Sequence, residues 1–238
     1  MDGGRAQKRG RLVIDDLKVV SLLQGQPGAV LDRIVQSGLR REFAKGECVI
    51  DAAKAPTAVY LLLQGQVRVQ LLGQGQREIT YQLPNAGETF GELACIDNGP
   101  RPADVTAETD VPVAQIPAAE FCNLLLKHAE FAMVILRRVV SLSRWLSERV
   151  FEYHAYNLMG RICAELLRLS RAAKGADFSV TDTDMASRVG TDRSMVNKLV
   201  RKIIKLEPGA LHRVPRSPHF RVVDASRLTA LLARCELG

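Results

Sequence analysis

The sequence predicts an α+β protein with an N-terminal β-roll, a long helix and a C-terminal winged helix-turn-helix. Three observations lead to this fold class. Short β-rich segments, separated by Gly or Pro at about ten-residue intervals, fill residues 39–116. The 36 residues from Ala118 to Tyr153 then contain neither Gly nor Pro. Between residues 181 and 205, a glycine separates two short amphipathic segments, each preceded by helix-capping residues.

The N-terminal stretch is basic and Gly-rich, and residues 1–16 are predicted to be a disordered tail. No apolar segment long enough for a signal peptide follows it, and no apolar run approaches the ~20 residues of a membrane helix. We therefore expect a cytoplasmic protein without a membrane partner. The five cysteines are scattered and never spaced as CxxC, which predicts separate thiols and no metal or iron–sulfur site.

Residues 17–128 are predicted to form the β-roll domain, which opens with an amphipathic helical segment at about residues 17–38. Behind it, segments such as AVYLLLQ, ADVTAET and VPVAQIP have the length and composition of strands. The stretch LLQGQVRVQLLGQGQREITYQL indicates a strand, a turn, a strand, a hairpin and a further strand. Regular short strands with turn signals are typical of a roll, sandwich or barrel.

Residues 129–155 are predicted to form one long helix with two apolar faces. A heptad seam with one polar member runs along it: Ala132, Leu136, Val139, Ser143, Leu146, Val150 and Tyr153. A second apolar set, Val134, Ile135 and Leu142, can face the β-roll. Because two apolar faces need two partners, an identical helix in a second subunit is the economical choice for the seam. This predicts a homodimer through residues 129–155, and a helix buried within one chain is the alternative.

The basic charge of the chain is confined to its C-terminal part. Residues 1–154 carry 18 basic and 18 acidic side chains, whereas residues 155–238 carry 15 basic and 8 acidic ones. The whole formal net charge of +7 therefore belongs to the last third of the chain. Such an asymmetry favours a polyanion as the partner of a C-terminal domain at residues 156–238.

Within that domain, residues 181–205 have the pattern of a helix-turn-helix. Thr181 or Thr183 can cap a first short helix, and Gly190 supplies the turn. Thr191 or Asp192 can cap the second helix.

The outward face of this second helix carries polar and basic side chains: Arg193, Ser194, Asn197, Lys198, Arg201 and Lys202. Arginine, asparagine and lysine are the side chains that read base edges in the major groove of DNA. A solvated basic helix is the alternative interpretation. The segment GALHRVPRSPHFRVV then predicts a two-stranded wing, with Arg213, Arg216 and His219 available for phosphates.

The stretch FGELACIDNGPRPADV, Phe90 to Val105, places an acid and a base close together between apolar residues. The guanidinium of Arg101 fits a phosphate bidentately, and the carboxylate of Glu92 can accept a hydrogen bond from a ribose hydroxyl. We expect the two charges to neutralise each other in the folded protein. A surface ion pair is the alternative, and the stretch contains no His or Ser that could form a catalytic group with the pair, so an enzyme is not expected.

On these residues the chain resembles the Crp–Fnr superfamily of transcription regulators from about residue 20 to 225. GELACIDNGPRPADVTAET is similar to the phosphate-binding cassette of cyclic-nucleotide-binding domains, and VTDTDMASRVGTDRSMVNKLVRKI is similar to the helix-turn-helix of the same superfamily. The resemblance implies a bacterial, homodimeric regulator whose β-roll binds an effector and whose winged helix binds a palindromic site on double-stranded DNA. RNA polymerase is a further candidate partner.

The resemblance also implies roles for individual residues. Its ligand-binding positions in this chain are Gly91, Glu92, Leu93, Arg101, Pro102, Leu146, Ser147, Val69 and Tyr81. The resemblance implies that Glu92 contacts the ribose hydroxyl and that Arg101 contacts the phosphate. Pro102 stands where a serine often adds a phosphate contact, and it has neither a hydroxyl nor an N–H. Leu146–Ser147 stands where cyclic-AMP receptors place Thr–Ser against the adenine, the serine coming from the partner subunit.

For DNA binding, the resemblance extends to Thr191, Arg193, Ser194, Asn197, Lys198, Arg201 and Lys202. Arg193 and Lys198 match the basic base-readers of the superfamily, whereas Ser194 replaces a frequent glutamate, so the target sequence is expected to differ. The favoured effector is cyclic AMP, with cyclic GMP as the second choice and no metal. A regulator of the same family without a nucleotide effector, a haem-dependent one, and a nucleotide-binding module that acts through protein contacts remain alternatives.

Overall fold

The computed structural model describes residues 9–72, 78–82, 84–173, 178–215 and 217–236, and the predicted α+β fold class is confirmed. The N-terminal elements are β1 (Arg9–Arg11), α1 (Ile14–Leu17), a 3₁₀ turn (Ser21–Leu23), α2 (Gly28–Ser37), β2 (Leu39–Phe43), β3 (Cys48–Ile50), β4 (Ala58–Leu62), β5 (Val67–Leu72), β6 (Glu78–Gln82), β7 (Thr89–Phe90), α3 (Glu92–Asp97), β8 (Asp104–Ala107), β9 (Val111–Pro117), α4 (Ala118–Lys127) and α5 (Ala129–Ala155). The C-terminal elements are α6 (Leu158–Ala172), β10 (Val180–Thr181), α7 (Asp182–Val189), α8 (Arg193–Leu206), β11 (Leu211–Arg213), β12 (His219–Val222) and α9 (Ala225–Ala233).

The chain forms two compact units that divide within α5, after Leu142. In the N-terminal unit, a five-stranded sheet of order β1-β2-β9-β4-β7 faces a four-stranded sheet of order β3-β8-β5-β6. Strand β4 is buried along its whole length because its alternate residues serve two cores. Tyr60 and Leu62 pack between the sheets, whereas Val59 and Leu61 pack against the helices. The hairpin predicted between β5 and β6 lies outside the described residues.

The N-terminal stretch differs from the predicted disordered tail. Residues 9–11 form β1, which pairs antiparallel with β2, and α1 begins at Ile14. Leu12 is fully buried among the helices of the N-terminal unit. The basic, Gly-rich composition pointed to disorder, but one buried leucine and a free sheet edge are enough to order residues 9–16. Residues 1–8 of the predicted tail lie outside the described residues.

Helix α5 runs without interruption from Ala129 to Ala155. Its buried apolar residues include Ile135 and Leu142, two of the three residues predicted to face the β-roll, whereas Val134 is half-buried. Several large apolar side chains on the helix are exposed: Met133, Leu136, Val140, Leu146, Val150 and Phe151. Leu136, Leu146 and Val150 belong to the predicted heptad seam. No second chain is described, so the homodimer remains a prediction.

The C-terminal unit has its own core, built from α6, α7, α8, α9 and a three-stranded sheet of order β10-β12-β11. Thr181 caps α7 by accepting a hydrogen bond from the Asp184 N–H (3.0 Å), and Asp192 caps α8 by accepting one from the Met195 N–H (2.9 Å). Gly190 lies between the two helices with a φ of 69°, which glycine adopts at little cost.

Two further observations complete the fold. Among the residues that the structure describes, no helix is both long enough and apolar enough to cross a membrane. The cysteines are free thiols, of which Cys95, Cys163 and Cys235 are buried and Cys48 is exposed. Burial raises the pKa of Cys163 to about 12, so this thiol stays protonated and acts as a core side chain.

Candidate functional site

A small cavity lies in the N-terminal unit, where the two sheets meet α3 and the first half of α5. Its volume is about 30 Å³, which is room for one or two water molecules. Six of the sequence-predicted ligand residues line it: Val69, Gly91, Glu92, Leu93, Arg101 and Pro102. Sequence reasoning missed the other lining residues: Ile50, Phe90, Ala94, Ala103, Val105, Arg138 and Leu142.

The turn from β7 into α3 depends on Gly91. This residue has a φ of 82°, and a Cβ placed on it would lie only 2.8 Å from Arg101 Nη1. A side chain at this position would therefore both strain the backbone and push against the guanidinium. Without it, the Gly91 carbonyl accepts a hydrogen bond of 2.6 Å from Arg101 Nη1.

The guanidinium of Arg101 is held by neutral backbone groups. Arg101 is 7% exposed, and its Nη2 donates a second hydrogen bond of 2.6 Å to the Ala58 carbonyl. Within the described ranges, no carboxylate lies in salt-bridge distance of it. A buried cation whose partners are neutral carbonyls attracts an anion strongly, since its charge is poorly compensated.

Glu92 is paired with an arginine other than the predicted one. Its carboxylate is 3% exposed, and its Oε1 accepts a hydrogen bond of 3.2 Å from Arg138 Nε on α5. Arg138 Nη2 also donates to the Thr89 carbonyl. The expectation that Glu92 and Arg101 neutralise each other is therefore wrong, because Arg138 supplies the counter-charge for Glu92.

Three predicted ligand residues are not among those that line the cavity. Leu146 and Ser147 lie on α5 beyond Leu142, in the second compact unit. Leu146 is exposed, and Ser147 Oγ donates to the Ser143 carbonyl (3.0 Å). Tyr81 lies on β6, and its side chain is outside the described part of the structure. Their roles remain predictions.

The second candidate site is the outward face of α8 in the C-terminal unit. The side chains of Arg193, Ser194, Lys198, Arg201 and Lys202 are exposed, and Thr191 is half-buried. Ser194 Oγ donates to Asp192 Oδ1 (2.5 Å), which ties this hydroxyl to the helix cap. The helix thus presents four cations to solvent on a face that begins at its N-terminus.

Two residues that the sequence assigned to DNA are instead bound to a buried carboxylate. Asp182, at the start of α7, is 1% exposed and accepts hydrogen bonds from Asn197 Nδ2 (3.0 Å) and from Arg213 Nη1 (3.0 Å) and Nη2 (2.8 Å). Burial raises the pKa of Asp182, but the hydrogen bonds from Arg213 and Asn197 outweigh it and hold that pKa below its ordinary value.

This arrangement corrects the predicted role of Arg213, which joins β11 to α7 and also stacks on Phe220. Asn197 likewise fixes the rotation of α8, since its side-chain amide is turned toward Asp182. His219 Nδ1 lies 2.8 Å from Ser217 Oγ on the wing. Arg216, the other predicted phosphate contact, lies outside the described residues.

Comparison with known proteins identifies the N-terminal domain. Residues 40–128 match the family model described as "Cyclic nucleotide-binding domain". The cyclic AMP receptor protein of Thermus thermophilus is 25% identical over 203 residues, which cover 82% of this chain and 93% of that protein. The resemblance to the Crp–Fnr regulators is confirmed.

Solved structures of Crp–Fnr regulators share the fold of this chain. The c-di-GMP-responsive global regulator CLP of Xanthomonas campestris matches with a TM-score of 0.72 at 18% identity, covering 83% of this chain and all of that one (100%). A structure described as a crp/fnr-family regulator from Eubacterium rectale matches with a TM-score of 0.69 at 18% identity, covering 90% of this chain and 99% of that one.

The helix pair α7–α8 packs against a buried ion cluster, which sequence reasoning missed. We call it the Glu165 cluster: Arg149 and Glu152 on α5, Glu165 and Arg168 on α6, and Arg188 on α7. Arg149 Nη1 lies 2.9 Å from Glu152 and 3.0 Å from Glu165, and its Nη2 donates to the Arg188 carbonyl (2.7 Å). The cluster therefore fastens the last turns of α5 to the first helix of the helix-turn-helix.

Part of this cluster is also held by aromatic rings. The guanidinium of Arg149 lies 5.8 Å from the Trp145 ring centroid and 5.6 Å from that of Tyr153, and Arg161 lies 4.7 Å from the latter ring. A Cβ on Gly190 would lie 3.1 Å from the Tyr153 hydroxyl. The turn of the helix-turn-helix is thus packed directly against the end of α5.

Proposed function

We propose that this chain is a cyclic-nucleotide-responsive transcription regulator that binds a palindromic DNA site as a homodimer, with cyclic AMP as the first-choice ligand. The observation that carries this proposal is the buried guanidinium of Arg101 in a cyclic nucleotide-binding domain. It donates to the Gly91 and Ala58 carbonyls, and no carboxylate of the described residues lies within salt-bridge distance of it. A single anionic phosphodiester supplies the missing counter-charge. The relative named cyclic AMP receptor protein supports the choice of purine.

The roles follow from the chemistry of the side chains. Arg101 binds the cyclic phosphate, and Glu92 accepts a hydrogen bond from the ribose 2′-hydroxyl. Pro102 lines the cavity but has neither a hydroxyl nor an N–H to donate to the phosphate. Val69 and Tyr81 form apolar contacts with the ligand from the sheet. Leu146 and Ser147 lie next to the base, and the serine comes from the partner subunit.

Dimerisation through α5 completes the proposal. The exposed apolar side chains of this helix, among them Leu136, Val140 and Val150, are suited to bury one another against an identical helix. A two-fold axis between the helices would present two copies of α8 to successive major grooves, about 34 Å apart along the duplex. Ligand binding then favours the arrangement that has this spacing, because the ligand binds that state more tightly.

The residues proposed to contact DNA lie on α8 and at its N-terminus. Arg193 and Lys198 are exposed near its N-terminal half and are the candidates for base contacts. Arg201 and Lys202 are suited to phosphates, as are Thr191 and Ser194 at the start of the helix. Asn197 contributes only if it leaves Asp182. Since several relatives are named as transcriptional regulators, no enzymatic activity is proposed.

One observation favours a second candidate, a regulator of the same family that works without a cyclic mononucleotide. The cavity has a volume of about 30 Å³, and Arg138 reaches into its lining to bind Glu92. The effector would then be absent or of another class, such as the cyclic di-GMP named for the CLP structure. A nucleotide-binding module acting only through protein contacts is less well supported, because the C-terminal unit carries an exposed basic α8.

The test is a calorimetric titration with cyclic AMP, cyclic GMP and cyclic di-GMP, followed by a DNA mobility-shift assay with a selected site. We expect cyclic AMP to bind with micromolar affinity and to tighten DNA binding, and Arg101→Ala to abolish both effects. Arg137→Ala is the matched control, since Arg137 is exposed on α5. Lys198→Ala should weaken binding to the selected site by about 1–3 kcal/mol and affect random DNA less.

Three outcomes contradict parts of the proposal. Absence of binding by all three nucleotides removes the ligand claim and leaves the ligand-independent regulator. Tight binding of cyclic di-GMP alone reassigns the ligand. Selection of an asymmetric DNA site argues against the homodimer.

A further inference from the structure

We propose that Arg138 competes with the nucleotide for Glu92. The ligand must then displace this arginine from the cavity, which breaks the side-chain hydrogen bonds that Arg138 forms between α5 and the β-roll. The inference rests on the proposed function and names the regulation of the same site. Neither the sequence motif of the cassette nor the predicted ligand residues include Arg138.

Arg138 already occupies the hydrogen-bonding position at Glu92 that the ribose is proposed to use. Its Nε donates to Glu92 Oε1 (3.2 Å), and its Nη2 donates to the Thr89 carbonyl at the end of β7. The Glu92 side chain is 4% exposed, so water does not compete with the arginine for this carboxylate. The group that the ribose hydroxyl needs is therefore already engaged by a charged donor, which forms a stronger hydrogen bond than a hydroxyl does.

Arg138 also occupies the space next to Glu92, and the cavity between the lining side chains, about 30 Å³, has room for one or two waters. A ribose hydroxyl bonded to Glu92 therefore needs the position that the Arg138 guanidinium now holds. Four of the lining side chains are buried apolar residues of the two sheets and are fixed by the core: Ile50, Val69, Phe90 and Val105.

Arg138 is the lining residue that can leave at the lowest cost. Its side chain is 24% exposed, and its long flexible stem permits the guanidinium to turn into water. Arg101, in contrast, is 7% exposed and held by two carbonyls. Movement of Arg138 opens the space next to Glu92 and leaves Arg101 in place for the phosphate.

The charges that line the cavity also link the movement of Arg138 to nucleotide binding. With Arg138 in place, Glu92 is neutralised and Arg101 contributes the net positive charge of the cavity. Once Arg138 leaves, Glu92 becomes a buried carboxylate without a donor, which is unfavourable unless the ligand provides one. A ribose 2′-hydroxyl is such a donor. Departure of the arginine and arrival of the nucleotide are thus coupled events.

Because of this coupling, nucleotide binding changes how α5 is attached to the β-roll. Arg138 is the residue through which α5 is bonded to β7 and α3 by side-chain hydrogen bonds in the described part of the N-terminal unit. Its release weakens the attachment of the helix that is proposed to form the dimer seam. The ligand-bound state therefore has a more freely adjustable α5.

The experiment measures cyclic AMP affinity by calorimetry for the full chain, Arg138→Met, Glu92→Gln and the double variant. We expect Arg138→Met to bind about tenfold more tightly than the unaltered chain, because the competing charge-assisted hydrogen bond is gone. The matched control is Arg137→Met, an exposed arginine one position earlier on the same helix, which should change affinity by less than about twofold.

The double variant guards against a folding artefact. Arg138→Met leaves the Glu92 carboxylate buried without a donor, whereas Glu92→Gln with Arg138→Met removes both charges of this pair. In the Glu92→Gln background we expect the Arg138→Met effect to fall to about twofold or less. Circular dichroism melts of all variants establish that each is folded.

Several results would overturn the inference while the proposed function stands: weaker nucleotide binding by Arg138→Met, an equal effect of Arg138→Met in the Glu92→Gln background, or a nucleotide complex with Arg138 still bonded to Glu92. If the unaltered chain fails to bind nucleotide but Arg138→Met binds it, the inference is supported in its strongest form. If no variant binds any nucleotide, the proposed ligand fails and this inference fails with it.

Discussion

Neutralising the Glu165 carboxylate by the Glu165→Gln substitution should destabilise the C-terminal unit strongly. Glu165 is 5% exposed, and its carboxylate lies 3.0 Å from both Arg149 Nη1 and Arg188 Nη1. It also accepts a hydrogen bond from Arg168. Glutamine has nearly the same shape, but it removes the negative charge and turns an amide NH₂ toward arginines that can only donate.

The magnitude follows from the burial of the partners. Breaking a buried ion pair typically costs about 3–5 kcal/mol, because the remaining charge has no partner. Arg168 and Arg188 are 24% and 22% exposed in their side chains, so they can turn partly into water, whereas Arg149 is only 10% exposed. We therefore expect the lower end of that range, about 3 kcal/mol.

The assay uses the fluorescence of the only tryptophan of the chain, Trp145, which belongs to this unit and lies beside Arg149. A loss of about 3 kcal/mol in a unit of this size lowers the midpoint of thermal unfolding by at least about 12 °C. Glu148→Gln is the matched control, since Glu148 is exposed on the same helix and should shift the midpoint by no more than a few degrees. Equal shifts for the two variants would refute the assignment of the cluster as a structural clamp.

Two further predictions concern acid and glycine. Because the pKa of Asp182 lies below its ordinary value of 3.8, the stability that its carboxylate contributes is present above that pH and is lost as the pH falls through the lowered pKa. Asp182→Asn should thus lower the urea midpoint of Trp145 fluorescence at pH 7, and the difference should shrink below pH 3.8; a difference independent of pH contradicts the assignment. Gly91→Ala should weaken cyclic AMP binding at least about tenfold, because a φ of 82° strains alanine and its Cβ lies 2.8 Å from Arg101. Gly28→Ala is the control, with open space at its Cβ and an expected neutral effect, and unchanged affinity for Gly91→Ala would contradict the geometry of the turn.

Much of the fold was predictable from local patterns. Strand length, turn residues and helix caps are properties of a few neighbouring residues, so β4, α5 and the pair α7–α8 could be read directly from the sequence. The caps Thr181 and Asp192 are among the four that the sequence offered, and the geometry of their hydrogen bonds decides between the alternatives. The disordered tail was wrong over residues 9–16 because composition does not reveal that Leu12 finds a place in the core.

Pairings between distant residues were not predictable in this way. Glu92 and Arg101 are close in sequence and were expected to pair. The Glu92 carboxylate is instead bonded to Arg138, which lies on a different element. Arg213 looked like a phosphate contact because it lies on the wing, although a buried Asp182 binds it. In each case the sequence supplies the charges, and only the packing of elements decides which opposite charges meet.

Helix α5 carries the two arginines whose partners the sequence did not reveal. Arg138 belongs to the N-terminal unit and holds Glu92, whereas Arg149 belongs to the C-terminal unit and holds Glu165. Coupling between a ligand site and a DNA site needs an element that both sites contact and that has more than one arrangement. Helix α5 is bonded to Glu92, the proposed ribose acceptor, through Arg138 and to α7 through Arg149, so it meets the first condition. The Arg138→Met variant tests the second, because it should make DNA binding less dependent on cyclic AMP, and Arg149→Met should uncouple the two sites while leaving nucleotide affinity unchanged.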